Sequence, residues 1–229
     1  MMMDNRSLSW GLALLTALAY TAAEAFRPFP LSWLLKALPA LTLLQWSLGR
    51  AIRGPRLLLY LALAAAACGD IALDFGHDSH LVPGLAAFGV TQLCLFALFW
   101  RLPAGRPCWQ WITLPLGTWV FLWLIWPFLD GRAPLLALYS LLLTAMVMGA
   151  VRANLNGQSQ LGAALFLISD SMIAIDTFVY HSQAGMTTIF VTYFAALMLL
   201  VKGLTAPRSE SGTGRPVRQS AATPPRQSP

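Results

Sequence analysis

Apolar residues along this chain come in long unbroken runs, without the alternation that marks a half-buried strand. The runs cover 8–25, 31–48, 57–74, 81–100, 109–128, 133–151, 160–180 and 186–204. A helix that crosses a bilayer needs roughly 20 mostly apolar residues at about 1.5 Å rise each. Each run therefore predicts one spanning helix. The breaks between them hold Pro28, Gly54-Pro55, Pro103 with Gly105, Gly131, and the polar stretch 154–160. Breaks this short predict antiparallel neighbours and leave no room for a second folded domain. The expected fold is all-α, a polytopic membrane protein of eight transmembrane helices over 1–205. The remaining segment, 206–229, is rich in Pro, Ser, Thr and Arg and reads as a disordered tail.

Composition agrees with the pattern. The 229 residues are 57% hydrophobic and only 10% charged, with a mean hydropathy of +0.63. Soluble domains carry about 25% charged residues, so a soluble enzyme, a disordered chain and a disulfide-stapled secreted domain are all excluded. The net charge of +6 then reports topology, with no nucleic-acid partner implied. Arg6, Arg50, Arg53, Arg56, Arg101, Arg106, Arg152, Lys202, Arg208, Arg215, Arg218 and Arg226 fall on the side of the termini. Only Arg27 and Arg132 fall on the other, and Lys36 lies within a span. This asymmetry predicts cytoplasmic termini and a multi-pass protein of the cell membrane. One competing pattern exists at the start. Arg6, the following apolar run and Ala23-Glu24-Ala25 have the form of a cleavable signal peptide. Cleavage would leave seven spans with the loop charges still in register, so the pattern alone leaves both open. Cys68, Cys94 and Cys108 are odd in number and form no disulfide framework.

Ionisable groups inside a bilayer cost about 2.5–3.5 kcal/mol each at the helix centre, so those present are candidates for function. They are Glu24, Lys36, Asp70, Asp74, Asp170 and Asp176. Counting helical rise, Asp70 lies roughly 20 Å and Asp170 roughly 14 Å from the cytoplasmic edge, and Lys36 about 8 Å below the outer one. Glu24, Asp74 and Asp176 read as helix-end residues wetted by headgroups, with His77, His80 and His181 beside them at the outer ends. Asp70 and Asp170 stand among Ala, Leu and Ile, where a short side chain cannot reach water. A catalytic pair and a structural carboxylate paired with Lys36 both fit. The tryptophans read as interfacial belt and packing. Cys68-Gly69-Asp70 and Ile168-Ser169-Asp170 each set a small residue before an aspartate, which lets a helix or a substrate approach closely. The two spans are equally oriented and four helices apart, as in a parallel repeat.

These motifs resemble the YhhN-like lysoplasmalogenase family of integral membrane proteins over roughly 8–204. The most specific piece runs from Gly162 to Ser171, GAALFLISDS, and is similar to the family's "GA-x-LF-x-x-SD" segment. Gly69-Asp70 resembles its "GD" pair, and Lys36 stands where it has "KP". Tyr139 and Met146 resemble its sixth-helix pattern, Tyr193 a tyrosine of the last helix, and Gln92 a position of His or Gln. Ala37 replaces the proline after the lysine, and Ala195-Ala196 stands where Ala-Gln is common. The second departure removes one hydrogen-bonding group from the site.

The resemblance implies an eight-helix protein, which favours a retained first helix. It also implies a hydrolase with no metal and no cofactor, acting on the vinyl ether of lysoplasmalogens drawn from the bilayer. The products are a fatty aldehyde and a glycerophospho-alcohol. Vinyl ether hydrolysis begins with protonation on carbon, giving an oxocarbenium ion that water captures, and the hemiacetal then collapses. It needs a neutral acid beside the alkene and a base for the water. Asp70 and Asp170 are the expected catalytic pair, with Lys36, Gln92, Tyr139, Ser169 and Tyr193 as substrate-binding residues. Lys36 has two readings, holding the base ionised or binding the phosphate. Two other functions fit parts of the chain. His77, His80 and His181 with an aspartate resemble a zinc set for a metal-dependent lipid hydrolase, although a loop position for His77 and His80 argues against it. Intramembrane carboxylates also suit a proton-coupled transporter, which no Gly/Pro-broken helix pair supports.

Overall fold

The computed structural model of the protein describes residues 5–75, 77–105, 109–153 and 155–205. Cys108, Arg106 and the expected tail 206–229 lie outside the described residues. Among those described there are eight α-helices and no strand. They are α1 (Asn5–Ala23), α2 (Ser32–Ser47), α3 (Arg56–Asp74), α4 (His77–Trp100), α5 (Gln110–Ile125), α6 (Ala133–Arg152), α7 (Gly157–Phe178) and α8 (Gln183–Thr205). Short 3-10 turns follow α1 and α5. All eight apolar runs are thus helices, with ends shifted by a few residues. Six of them, α3 to α8, are long and apolar enough to cross a membrane. The helix α2 has 16 residues, about 24 Å of rise. One placement differs from the sequence reading: α4 begins at His77, so His77 and His80 belong to a helix and not to a loop.

The pairs α3–α4 and α7–α8 pack most closely, α1 and α2 extend the first pair, and α4 meets α6 across the core. Close approach has a local cause at two glycines. A methyl added at Gly162 would stand 2.8 Å from the Leu200 backbone nitrogen and 2.9 Å from the Ala196 carbonyl oxygen. One added at Gly69 would stand 2.7 Å from the Phe88 ring. Gly162 of α7 and Gly69 of α3 therefore each seat the helix that follows, as small residues do at membrane helix interfaces. By contrast α5 leans chiefly on α6. Its Ile112, Trp119 and Trp123 are exposed, which in a bilayer means facing lipid.

Glu24, Asp74 and Asp176 are not wetted helix ends: all three are buried. Loop and neighbouring side chains fold over them. Asp74 accepts from Tyr20 Oη at 2.9 Å and from Ser32 Oγ. Arg27 stands 3.2 Å from its carboxylate and donates to its backbone carbonyl at 2.8 Å. This one carboxylate gathers α1, the α1–α2 connection, α2 and α3. Asp176 accepts from the Ser182 backbone N–H at 3.1 Å and meets His181 Nδ1 at 2.7 Å, closing the α7–α8 loop. Removing one partner of a buried ionic cluster leaves the others unpaired. Asp74→Ala is therefore expected to cost about 2 kcal/mol or more, read as a lower melting temperature of the purified protein in detergent. An unchanged melting curve would refute this role.

Candidate active site

Two of the intramembrane aspartates are met by donors from distant helices. Asp70, 1% exposed on α3, accepts from Tyr193 Oη of α8 at 2.7 Å. Asp170, 7% exposed on α7, accepts at one oxygen from Gln92 Nε2 of α4 at 3.0 Å and from Tyr139 Oη of α6 at 2.6 Å. The pairing is crossed: the third helix is served by the eighth, and the seventh by the fourth. Tyr193 is held edge-on by Phe88 and Phe166, with ring centroids 5.7 and 5.9 Å away. Phe88 in turn is the ring that requires Gly69. The Gly-Asp pair is thereby explained from both ends, since the glycine admits the ring that fixes the tyrosine that fixes the aspartate.

Asp170 and Tyr139 line a cavity of about 210 Å³ walled by α3 to α7. Its lining is dominated by Leu, Phe and Ile side chains, including Leu73, Leu85, Phe88, Leu114 and Phe121. The peripheral α5 supplies one wall. A second, smaller cavity of about 30 Å³ is lined by Lys36, Asp176, Met186 and Phe190. Leu73, Ile173 and Thr177 line both, so the two spaces share a wall toward the end of α7.

Lys36 is buried. Among the described residues it makes no direct ion pair, so the structural pairing with Asp70 considered above is not formed. Its ammonium sits over the rings of Phe190, at 5.2 Å from the centroid, and Tyr20, at 5.9 Å, an arrangement that suits a partly desolvated cation. Of the expected substrate-binding residues, Tyr139 reaches the larger cavity and Lys36 the smaller. Gln92 and Tyr193 stand behind the two carboxylates. Ser169 is fully buried and donates to the Ile189 carbonyl at 3.1 Å; it joins α7 to α8 and lines neither cavity. Sequence reasoning did not single out Thr177. Its signal was available in the seven-residue spacing from Asp170, which puts both on one face of a helix.

Among the described residues no three His, Cys, Asp or Glu side chains gather as a metal set. His181 pairs with Asp176, and the His80 ring lies 6.0 Å from Phe75.

Comparisons with known proteins find relatives of the chain. The YhhN family model matches residues 31–204. The human protein named lysoplasmalogenase TMEM86B is 34% identical over 184 residues, covering 78% of each chain. The mouse protein of the same name is 30% identical over 176 residues, 76% of each. No solved structure matches significantly. The matched region contains α2 to α8, both intramembrane aspartates and all of their donors, and the chain is a member of the YhhN family of integral membrane proteins.

Proposed function

We propose that this protein hydrolyses the vinyl ether bond of lysoplasmalogens, releasing a fatty aldehyde and a glycerophospho-alcohol, by metal-free acid–base catalysis on Asp70 and Asp170. The observation that carries this reading is Asp170, an anchored carboxyl at the wall of a lipid-like cavity. A second buried carboxyl, Asp70 of α3, is held by Tyr193. Relatives named lysoplasmalogenase support it.

The chemistry follows from the positions. An alkenyl chain lies along the apolar walls and brings its enol ether to Asp170. Gln92 and Tyr139 hold one carboxyl oxygen and leave the other to the substrate. Protonation of the β-carbon gives an oxocarbenium ion, which a nearby carboxylate stabilises. Water adds to that ion while a carboxylate takes its proton, and the hemiacetal collapses to aldehyde and alcohol. Asp70, fixed by Tyr193, shares the acid and base duties with Asp170. Lys36, the buried cation at the adjoining cavity, binds the phosphate. Each of the eight helices spans the membrane, and both termini are cytoplasmic, from the distribution of Arg and Lys.

Asp70→Asn and Asp170→Asn keep size and one acceptor while removing the ionisable proton. Each is expected to lower aldehyde release by about 10²-fold or more with folding nearly unchanged. The double variant is expected to lose little beyond the worse single, because groups acting as one unit are non-additive. Near wild-type release from both single variants would defeat the mechanism. For topology, a reporter active only outside the cytoplasm, fused at Gly203, is expected to stay silent; strong signal there would reverse the orientation.

A further inference from the structure

Threonines in these helices follow one habit. Thr16, Thr21, Thr42, Thr91, Thr144, Thr188, Thr192 and Thr205 each donate the side-chain hydroxyl to the carbonyl four residues earlier. This is how a hydroxyl is normally satisfied where water is absent. Thr177 departs from it. Its Oγ1 is shut off from solvent and has no hydrogen-bond partner. Of the hydroxyls around the larger cavity, that of Ser171 goes to Leu167 O, and that of Thr118 pairs with Thr144. Thr177 also lines both the chain cavity and the Lys36 cavity. The hydroxyl and methyl share one Cβ, so a change of χ1 rotamer exchanges their places.

We propose that Thr177 is the residue that reads the free glycerol hydroxyl of a single-chain lipid, and so sets the selectivity of this site. The proposal rests on the hydrolase reading above for its geometry. Thr177 lies seven residues beyond Asp170, nearly two full turns along one face, about 10.5 Å of axial rise. Both side chains lean the same way along the helix, so their oxygens keep much the same separation. Taking off about 2.8 Å for a contact at each end leaves roughly 5 Å. That is the reach from the free hydroxyl oxygen of a lysolipid to its enol ether carbons, four or five bonds away. With the double bond at Asp170 the glycerol hydroxyl falls at Thr177, and the phosphate beyond it faces the Lys36 cavity. A lipid acylated at that oxygen offers no hydroxyl proton and must force a second chain against Leu73 and Ile173, which share the wall.

Binding tests this independently of turnover. The probes are a saturated 1-alkyl-2-hydroxy glycerophosphoethanolamine, which cannot be hydrolysed, and its 2-deoxy counterpart. Each is radiolabelled and bound to the purified full-length protein in detergent. The wild type is expected to prefer the hydroxy lipid by about tenfold. Thr177→Val, which keeps the shape, is expected to abolish the preference by weakening the hydroxy lipid alone, and Thr177→Ser to restore it. A preference that survives in Thr177→Val overturns the proposal. So does a wild type that binds both lipids equally or binds neither. Aldehyde release from the alkenyl lipid, measured alongside, reports on the hydrolase reading separately: preference without release leaves Thr177 as the reader of a lipid this protein binds but does not cleave.

Discussion

A carboxyl group in the interior of a membrane helix cannot reach water, and an apolar surrounding gives it nothing to bond. Leaving a buried polar group unmet costs about 1–3 kcal/mol, more when it is charged. Asp70, Asp74 and Asp170 therefore draw their partners from other parts of the bundle, and that requirement ties the helices together. Asp70 draws Tyr193 from α8, Asp170 draws Gln92 from α4 and Tyr139 from α6, and Asp74 draws Tyr20, Arg27 and Ser32. The crossed pairing, α3 to α8 and α7 to α4, binds the two halves of the chain to each other. Asp70 takes its donor from the other half, and Asp170 takes one donor from each half, Gln92 from the first and Tyr139 from the second.

That pairing also separates the carboxyl at a cavity wall, Asp170, from the carboxyls enclosed by their own donors. Asp74 is surrounded by donors and Asp176 is closed by its own loop. Asp170 is met at one oxygen only and stands at a cavity wall. The other wall of that cavity belongs to α5, the helix with the least packing and the most exposed apolar surface. Few protein contacts close that side of the cavity.

Much of this was legible in the sequence. Eight apolar runs became eight helices because periodic polar breaks and backbone satisfaction in lipid leave an apolar run little alternative to a helix. Asp70 and Asp170 stood out because a charge among alanines and leucines is costly. The small residues before them predicted close approach, and Gly69 against Phe88 shows why. What the sequence concealed was long-range pairing. Tyr20, Arg27 and Ser32 reach Asp74 from 54, 47 and 42 positions away, so Asp74 looked like a helix end open to headgroups. Ser169 looked like part of the site from its neighbour, yet it serves the helix interface. The seven-residue spacing sets Thr177 on the face of Asp170, but its unmet hydroxyl becomes visible only once every neighbour is in place.

The central claim is that a carboxyl delivers a proton to carbon, and solvent isotope reports that directly. Lysoplasmalogen turned over in D₂O, with the aldehyde trapped at once by reduction, is predicted to give an alcohol carrying one deuterium at carbon 2, on a single face. That single face reflects delivery from one fixed side chain. Aldehyde without deuterium, or with deuterium scattered over both faces as in uncatalysed acid, would contradict protonation by a residue of this site.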